Sequence, residues 1–286
     1  MKLFEPHVIG ILVILALAAS VAALAVASQG QGAAVEASTF ARIISSGRVN
    51  VCYITYPPMI IKDGATGTLK GHFYDAFEEI ARDASLKPEY LETTWSNWVS
   101  ELQSGRCDVS IAPTFATTAR ATAVAFAKPL LYAGNSAIVR KGDGRFNSIS
   151  DFNRKNVTIA VAEGEASHAF AKTHLPDAQL KVLSTASGGD LSLPFLEVSA
   201  GRADAGLSDS YSVAKYAESH AGVTDLFAAR PYGLTALSWA VRTDDVELLN
   251  FLNTAISQLE SSGTLVELER KYDAHWLHPD VSWSTS

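Results

Sequence analysis

The chain has 286 residues, a formal net charge of −7 and 48% hydrophobic residues. This acidic balance argues against a nucleic-acid partner, because phosphate backbones are bound by clustered lysine and arginine. After the N-terminal segment about 250 residues remain, which is enough for one or two domains with a sizeable core.

The first segment of the chain has the pattern of an export signal. Lys2 precedes an apolar run over residues 8–27, which ends in Ala25-Val26-Ala27 and is followed by polar residues. These features are typical of a cleaved secretory signal peptide, which we predict over residues 1–27. The alternative is an uncleaved membrane anchor, because the run is long enough to span a bilayer. In both cases we expect the rest of the chain outside the cytoplasm.

The two cysteines, Cys52 and Cys107, permit two interpretations. Export through an oxidising compartment would allow a disulfide between them. A pair of buried thiols is the other interpretation, and it is the one that we adopt from the sequence.

Strands and helices then alternate along the chain. Apolar patterns predict strands over residues 48–53, 88–92, 109–112 and 134–140, and helices over residues 38–46, 73–84 and 95–104. The order β-α-β-α-β predicts a parallel sheet with right-handed crossovers.

The pattern restarts after a break at Gly142-Asp143-Gly144. The second set comprises strands over residues 157–161, 179–183, 203–207 and 237–242, and helices over residues 165–173, 193–200, 246–261 and 265–272. The segment 101–108 resembles the segment 197–204, since in both a helix ends at Gly-Arg and an aspartate precedes an apolar strand. We therefore predict two similar α/β lobes with a cleft between them.

The apolar segments 131–140 and 228–241 flank the second set, and we predict that the lobes divide there. The first lobe comprises residues 38–135 and 232–278, and the second lobe comprises residues 136–231. The last residues, 279–286, have no periodicity and form a tail.

Polar and aromatic residues lie just beyond the carboxyl ends of the predicted strands. In an open parallel sheet, ligands bind outside the carboxyl ends of the strands. Arg120 can hold a carboxylate through paired charged hydrogen bonds, and Asp209 can take an ammonium group. An α-amino acid carries both groups. A packed core would explain the aromatic residues at these positions without any ligand.

The sequence contains no nucleophile elbow, phosphate-binding loop or zinc-ligand spacing. Its histidines are scattered, and none pairs at the i, i+4 spacing of helical zinc ligands. We expect neither a metal site nor a cofactor.

An ordered set of short stretches gives the chain a family resemblance. These stretches are Tyr56-Pro57-Pro58-Met59 and residues 71–75, 102–108, 116–120, 126–129, 150–159, 201–204 with Asp209, and 263–265. In these stretches the chain resembles the periplasmic solute-binding proteins of the amino-acid type. These are the family 3 extracellular proteins, which have the type II periplasmic-binding fold. The resemblance covers residues from about Gly47 to Trp276.

The resemblance implies an α/β fold of two lobes, each a mainly parallel sheet flanked by helices, joined by two hinge strands. In such proteins the arginine matching Arg120 binds the ligand carboxylate, and the aspartate matching Asp209 binds its α-ammonium. Aromatic residues matching Tyr56 and Trp95 line the side-chain space. The loop matching residues 164–167 offers backbone donors.

The chain departs from the family pattern at four positions. Tyr53 stands where binders of polar amino acids often have an aspartate, and Pro113 replaces a usual glycine. Phe115 and Glu165 both stand where threonine is usual. The predicted ligand-binding residues are thus Tyr53, Tyr56, Trp95, Pro113, Phe115, Arg120, Gly164, Glu165, Ala166, Ser167 and Asp209.

The resemblance implies a monomer in the periplasm or on the outer face of the cytoplasmic membrane. This monomer would capture a small amino acid or related zwitterion and deliver it to the permease of an ABC importer. An alternative on the same fold is a cyclohexadienyl dehydratase acting on prephenate or arogenate, with Glu163 or Glu165 as general acid. A further alternative is a sensory or docking domain for a membrane partner.

Overall fold

The computed structural model describes residues 38–185 and 191–274. The predicted signal segment and the tail lie outside the described residues. The helices are α1 (Thr39–Ser46), α2 (His72–Asp83), α3 (Trp98–Gln103), α4 (Thr118–Ala121), α5 (Ala166–His174), α6 (Leu193–Ser199), α7 (Ser210–Ser219), α8 (Val246–Ser261) and α9 (Thr264–Lys271).

The strands are β1 (Arg48–Tyr53), β2 (Ile61–Lys62), β3 (Leu69–Lys70), β4 (Lys87–Glu92), β5 (Val109–Phe115), β6 (Ala125–Phe126), β7 (Leu131–Arg140), β8 (Thr158–Ala162), β9 (Gln179–Leu183), β10 (Ala205–Asp209), β11 (Val223–Asp225) and β12 (Tyr232–Val241). A 3-10 turn lies at Ile149–Phe152. Within the described ranges, no helix combines the length and the hydropathy that crossing a bilayer requires.

One mixed sheet has the strand order β4-β1-β5-β12-β7-β10-β8-β9. At one end β1 pairs in parallel with β4 and β5, and at the other end β8 pairs in parallel with β9 and β10. The long strands β7 and β12 between them pair antiparallel with each other and with their outer neighbours. The predicted α/β class, with parallel strands on either side of two connecting strands, is confirmed.

Separate apolar clusters cover the two ends of this sheet. The first contains residues from Ile43 to Ala133 and from Leu237 to Ala274, together with Ala162 and Leu191. The other two are built from residues between Ala137 and Val223. Each end of the sheet thus has its own buried core. We call the part of the molecule built around the first cluster the first half, and the part built around the other two clusters the second half.

Helix α2 shows how the sequence pattern becomes packing. Phe73, Phe77 and Ile80 recur at helical spacing and are buried, and the rings of both phenylalanines meet Trp239 of β12 edge-on. This contact fixes the C-terminal part of the chain against the first half, because each buried aromatic side chain removes a large apolar area from water.

The structure corrects the sequence analysis at Pro113, which we expected to end a strand. Strand β5 continues through Pro113 to Phe115. Its register with β12 shifts between Ser238 and Ala240, opposite this part of β5. A proline, which has no N–H for the ladder, is accommodated within a sheet at such an irregularity.

The expectation of free thiols is wrong. Cys52 of β1 and Cys107, which precedes β5, form a disulfide with their Cα atoms 5.6 Å apart. The parallel pairing of β1 with β5 brings these two distant positions together. Both cysteines are fully buried. Buried thiols and a buried disulfide would both give this result, so burial alone could not distinguish the two interpretations.

Helix α7 was not predicted from the sequence. Its buried apolar residues are Val213 and Tyr216, which is too weak a pattern to indicate a helix. The available signal was its cap, because Asp209 accepts a hydrogen bond from the main-chain N–H of Ser212.

Candidate functional site

A small cavity lies where the two halves of the molecule meet. Its lining residues are Tyr56, Trp95, Pro113, Phe115, Arg120, Ala133, Glu165, Ala166, Leu191, Asp209 and Leu237. The volume of this cavity is about 20 Å³. That space is enough for roughly one water, so the halves are closely apposed here.

Arg120 connects the two halves through its side chain. Thr117 caps the short helix α4 and thereby sets the direction of the residues that follow it. The Arg120 guanidinium donates from Nη1 to the carbonyl of Phe115 at 3.1 Å and from Nη2 to the carbonyl of Gly164 at 3.0 Å. It also lies 5.8 Å from the ring centroid of Trp98. Burial lowers the pKa of Arg120, and the nearby Glu165 carboxylate opposes that shift.

Asp209 lies at the point where β10 ends and α7 begins. Its Oδ1 accepts from the main-chain N–H of Ser212 at 2.9 Å, and its Oδ2 accepts from the Ser208 hydroxyl at 3.3 Å. The side chain is 5% exposed. The N-terminus of a helix favours a negative charge, which helps to hold a buried carboxylate here.

Glu165 is a second buried acid in the same cavity. It caps α5, and its Oε2 accepts from the main-chain N–H of Ser167 at 2.9 Å. Burial raises the pKa of Glu165 to about 7, and the Asp209 carboxylate adds to the rise. The Ser167 hydrogen bonds and the Arg120 charge lower this pKa in part. Glu165 therefore changes its protonation state near neutral pH.

Tyr56 closes one side of the cavity and contacts the second half. Its hydroxyl lies 3.0 Å from Ser212 Oγ, and its ring meets Trp95 edge-on with centroids 6.0 Å apart. Burial, with the neighbouring Asp209 carboxylate, raises the pKa of Tyr56 well above its ordinary value. The phenol therefore remains neutral and can act as a hydrogen-bond donor.

Gly164 lies at a close contact between the two halves. Its φ is +78°, and a Cβ atom on it would lie 2.5 Å from the carbonyl oxygen of Trp95. Only glycine fits both the left-handed backbone and this contact.

The structure gathers most of the predicted residues at the cavity. Gly164 contributes its carbonyl to Arg120, and Ser167 holds Glu165, although neither lines the cavity. Tyr53 also does not line it. Tyr53 pairs with Glu92 in the β1–β4 ladder, and its ring meets Tyr90 edge-on at 6.4 Å.

Sequence reasoning missed three residues of the lining, which are Ala133, Leu191 and Leu237. Ala133 and Leu237 lie on β7 and β12, in the two segments at which we predicted that the lobes divide. Their apolar character was the available signal, since the central strands of a sheet can also form the floor of a cleft.

Among residues 38–185 and 191–274, no group of three or more histidine, cysteine, aspartate or glutamate side chains could hold a metal ion.

Comparisons with known proteins match this arrangement. The family model of the bacterial extracellular solute-binding proteins, family 3, matches residues 49–275. The lysine/arginine/ornithine-binding periplasmic protein of Escherichia coli (strain K12) is 25% identical over 247 residues, which are 84% of this chain and 92% of that protein. The cyclohexadienyl dehydratase of Pseudomonas aeruginosa is 22% identical over 86% of this chain and 87% of its own.

A solved structure supports the same relationship. The crystal structure of the ancestral amino acid-binding protein AncCDT-1, a precursor of cyclohexadienyl dehydratase, superposes with a TM-score of 0.72 at 31% identity. The match covers 82% of this chain and 99% of that chain.

Proposed function

Because the chain belongs to the bacterial extracellular solute-binding proteins of family 3, we propose that it captures a small amino acid or related zwitterion and delivers it to an ABC importer. The observation that carries this proposal is a partly buried arginine and a buried carboxylate, Arg120 and Asp209, in one cavity between the two halves. An α-amino acid presents the complementary pair of charges.

Arg120 and Asp209 can both serve a ligand without losing their present contacts. A guanidinium has five N–H donors, and the bonds to Phe115 and Gly164 engage two of its nitrogens, so further N–H groups can meet a carboxylate. Asp209 is held by α7 and the Ser208 hydroxyl, which orient the carboxylate without adding a formal positive charge. The aromatic rings of Tyr56, Trp95 and Phe115 suit the ligand's remaining part.

The proposed cycle requires the halves to move apart and close again. We assign residues 38–135 and 232–278 to one lobe and residues 136–231 to the other, with β7 and β12 as the hinge strands. The separate apolar clusters of the two halves support this division. Closure would bring Tyr56 to Ser212 and Arg120 to Gly164, and exclude water from the bound charges.

The proposal also includes the setting in which the protein acts. It works outside the cytoplasm as a monomer, after export directed by residues 1–27, and its macromolecular partner is a membrane permease. The family description as extracellular supports this location.

Titration calorimetry over a panel of amino acids, with Asp209→Asn and Arg120→Lys, tests the two-charge clamp. Asparagine retains the helix cap while it removes the charge, so the fold is preserved. Asp209→Asn removes the charged partner of the ligand's ammonium group, which costs on the order of 2–5 kcal/mol in a desolvated site, so affinity should fall roughly 30-fold or more. Arg120→Lys keeps the positive charge but removes the planar fork of N–H donors, so affinity should also fall. The control is Glu163→Gln, a change of an exposed residue in the loop between β8 and α5. Binding of both site variants within about threefold of the wild type would contradict the clamp.

One observation favours a second candidate, a cyclohexadienyl dehydratase. A buried carboxyl with a pKa of about 7, such as Glu165, suits a general acid at neutral pH. On prephenate it would donate a proton to the departing hydroxyl. The C–O bond then breaks to release water, CO₂ leaves, and the electron pair of the broken C–C bond completes the aromatic ring.

A turnover assay separates the two candidates. We expect prephenate and arogenate to remain unchanged after incubation with the protein, measured by the absorbance of the aromatic product. Formation of product by the wild type, and its loss in Glu165→Gln, would instead assign the enzyme activity.

A further inference from the structure

The charges around the cavity match those of a simple amino acid only while one of its two acids is protonated. Among the described lining residues, the charged side chains are Arg120, Glu165 and Asp209. With both acids ionised, the site carries one more negative than positive charge. A zwitterion adds one charge of each sign. It would therefore leave one buried carboxylate without a positive charge to balance it, which is costly in a desolvated site.

The surroundings of Glu165 provide for a proton on this carboxyl group. Ser167 Oγ lies within hydrogen-bonding reach of both Glu165 Oε2 and, at 3.0 Å, the carbonyl of Leu207. A serine hydroxyl has one hydrogen and cannot donate to both oxygens at once. If Glu165 is protonated, it donates to Ser167 Oγ, and Ser167 donates to Leu207, so both contacts become hydrogen bonds.

Resting on the proposed amino-acid binding, we propose that Glu165 is a specificity-determining carboxyl that favours a short α-amino acid with a second ammonium group. Glu165 holds a proton in the absence of this ligand and releases it to solvent when the ligand's second ammonium group arrives. Three ligand charges then meet three site charges of opposite sign. Glu165 and Asp209 line the same cavity and their charges interact, so the two ammonium groups that meet them must lie close together, which favours a short side chain.

Several charged or titratable groups affect Glu165 from the elements around it. Asp209 at the start of α7 raises its pKa, and Arg120 on α4 lowers it. Tyr56 and Tyr232 also interact with the Glu165 charge, but burial raises the pKa of each phenol, so both are neutral between pH 5.5 and 7.5. His168, on the same helix as Glu165, accepts from the main-chain N–H of Gly164 and serves as a control.

The experiment compares two ligands of equal length by titration calorimetry at pH 5.5 and pH 7.5. L-2,4-diaminobutyrate carries an ammonium group where L-homoserine carries a hydroxyl. At pH 7.5 we expect diaminobutyrate to bind at least tenfold more tightly than homoserine. With a Glu165 pKa of about 7, it should release roughly a quarter of a proton at pH 7.5, measured in buffers of different ionisation enthalpy. At pH 5.5 the preference should fall roughly 20-fold or more, and the release should approach one proton, because Glu165 must first lose its proton.

Glu165→Gln should reduce the preference for diaminobutyrate to less than about threefold and abolish proton release, whereas His168→Gln should retain both. Equal affinity of the wild type for the two ligands at pH 7.5, or an unchanged preference in Glu165→Gln, would overturn the inference. In either case binding that depends on Arg120 and Asp209 leaves the proposed function standing. A folded protein that binds no amino acid of any charge would overturn both.

Discussion

At the scale of single residues, the Glu165 carboxyl departs strongly from ordinary solution chemistry. Its carboxyl is 4% exposed and has a pKa of about 7, against an ordinary value of 4.5. Between these two pH values the folded protein holds a proton that the unfolded chain has released. The free energy of unfolding must therefore fall as pH rises through this window.

We predict that Glu165→Gln removes this pH dependence, because glutamine does not titrate. The difference in pKa corresponds to about 3 kcal/mol. Relative to the wild type, the variant should therefore gain about 2–3 kcal/mol in unfolding free energy between pH 5 and pH 8, measured by urea denaturation.

The exposed neighbour Glu163 supplies the control for this measurement. Glu163→Gln should follow the wild type at both pH values. Parallel pH profiles of the wild type and Glu165→Gln would show that the carboxyl does not titrate abnormally in the folded protein.

At the scale of elements, the loop between β8 and α5 determines how closely the two halves approach. We predict that Gly164→Ala weakens ligand binding roughly tenfold or more, because the added Cβ would meet the Trp95 carbonyl at 2.5 Å. Calorimetry with an amino acid that binds the wild type provides the measurement.

Gly142→Ala is the matched control for this change. Gly142 has a φ of +83° and no atom within 4 Å of an added Cβ. Both variants bear the cost of a left-handed alanine, about 1–2 kcal/mol, but only Gly164→Ala obstructs the approach of the halves. Equal affinities in the two variants would show that this contact does not contribute to binding.

The disulfide between Cys52 of β1 and Cys107, just before β5, is a second feature at the scale of elements. It joins two positions with a sequence separation of 55 residues, and this cross-link reduces the conformational entropy of the unfolded chain. We predict that the double change Cys52→Ala and Cys107→Ala lowers the unfolding free energy by about 2–4 kcal/mol while ligand affinity remains within threefold. Chemical denaturation and calorimetry check the two parts separately, and an unchanged denaturation midpoint would contradict the first.

At the scale of the whole molecule, two long antiparallel strands, β7 and β12, connect halves with separate cores. We predict that ligand binding reduces the radius of gyration measured by small-angle X-ray scattering, because closure moves the lobes together. Asp209→Asn at the same ligand concentration should show a smaller change. An unchanged radius, with ligand binding established by calorimetry, would contradict hinge closure.

The sequence by itself determined the local elements whose periodicity is strong. The strand over Arg48–Tyr53 and the helices over His72–Asp83 and Val246–Ser261 follow from their apolar spacing, and their bounds differ from the predictions by at most one residue. Arg120 and Asp209 were recognisable because charged residues just beyond buried strands indicate the ligand-binding edge of an α/β sheet.

Only the tertiary structure decided which side chains meet. Tyr53 and Tyr56 are three residues apart, yet Tyr56 lines the cavity whereas Tyr53 packs on Tyr90. The disulfide and the proximity of Glu165 to Asp209 likewise depend on how distant strands pair. The physical reason is that periodicity records which face of an element is buried, whereas the pKa of a group and the shape of a cavity depend on neighbours contributed by remote parts of the chain.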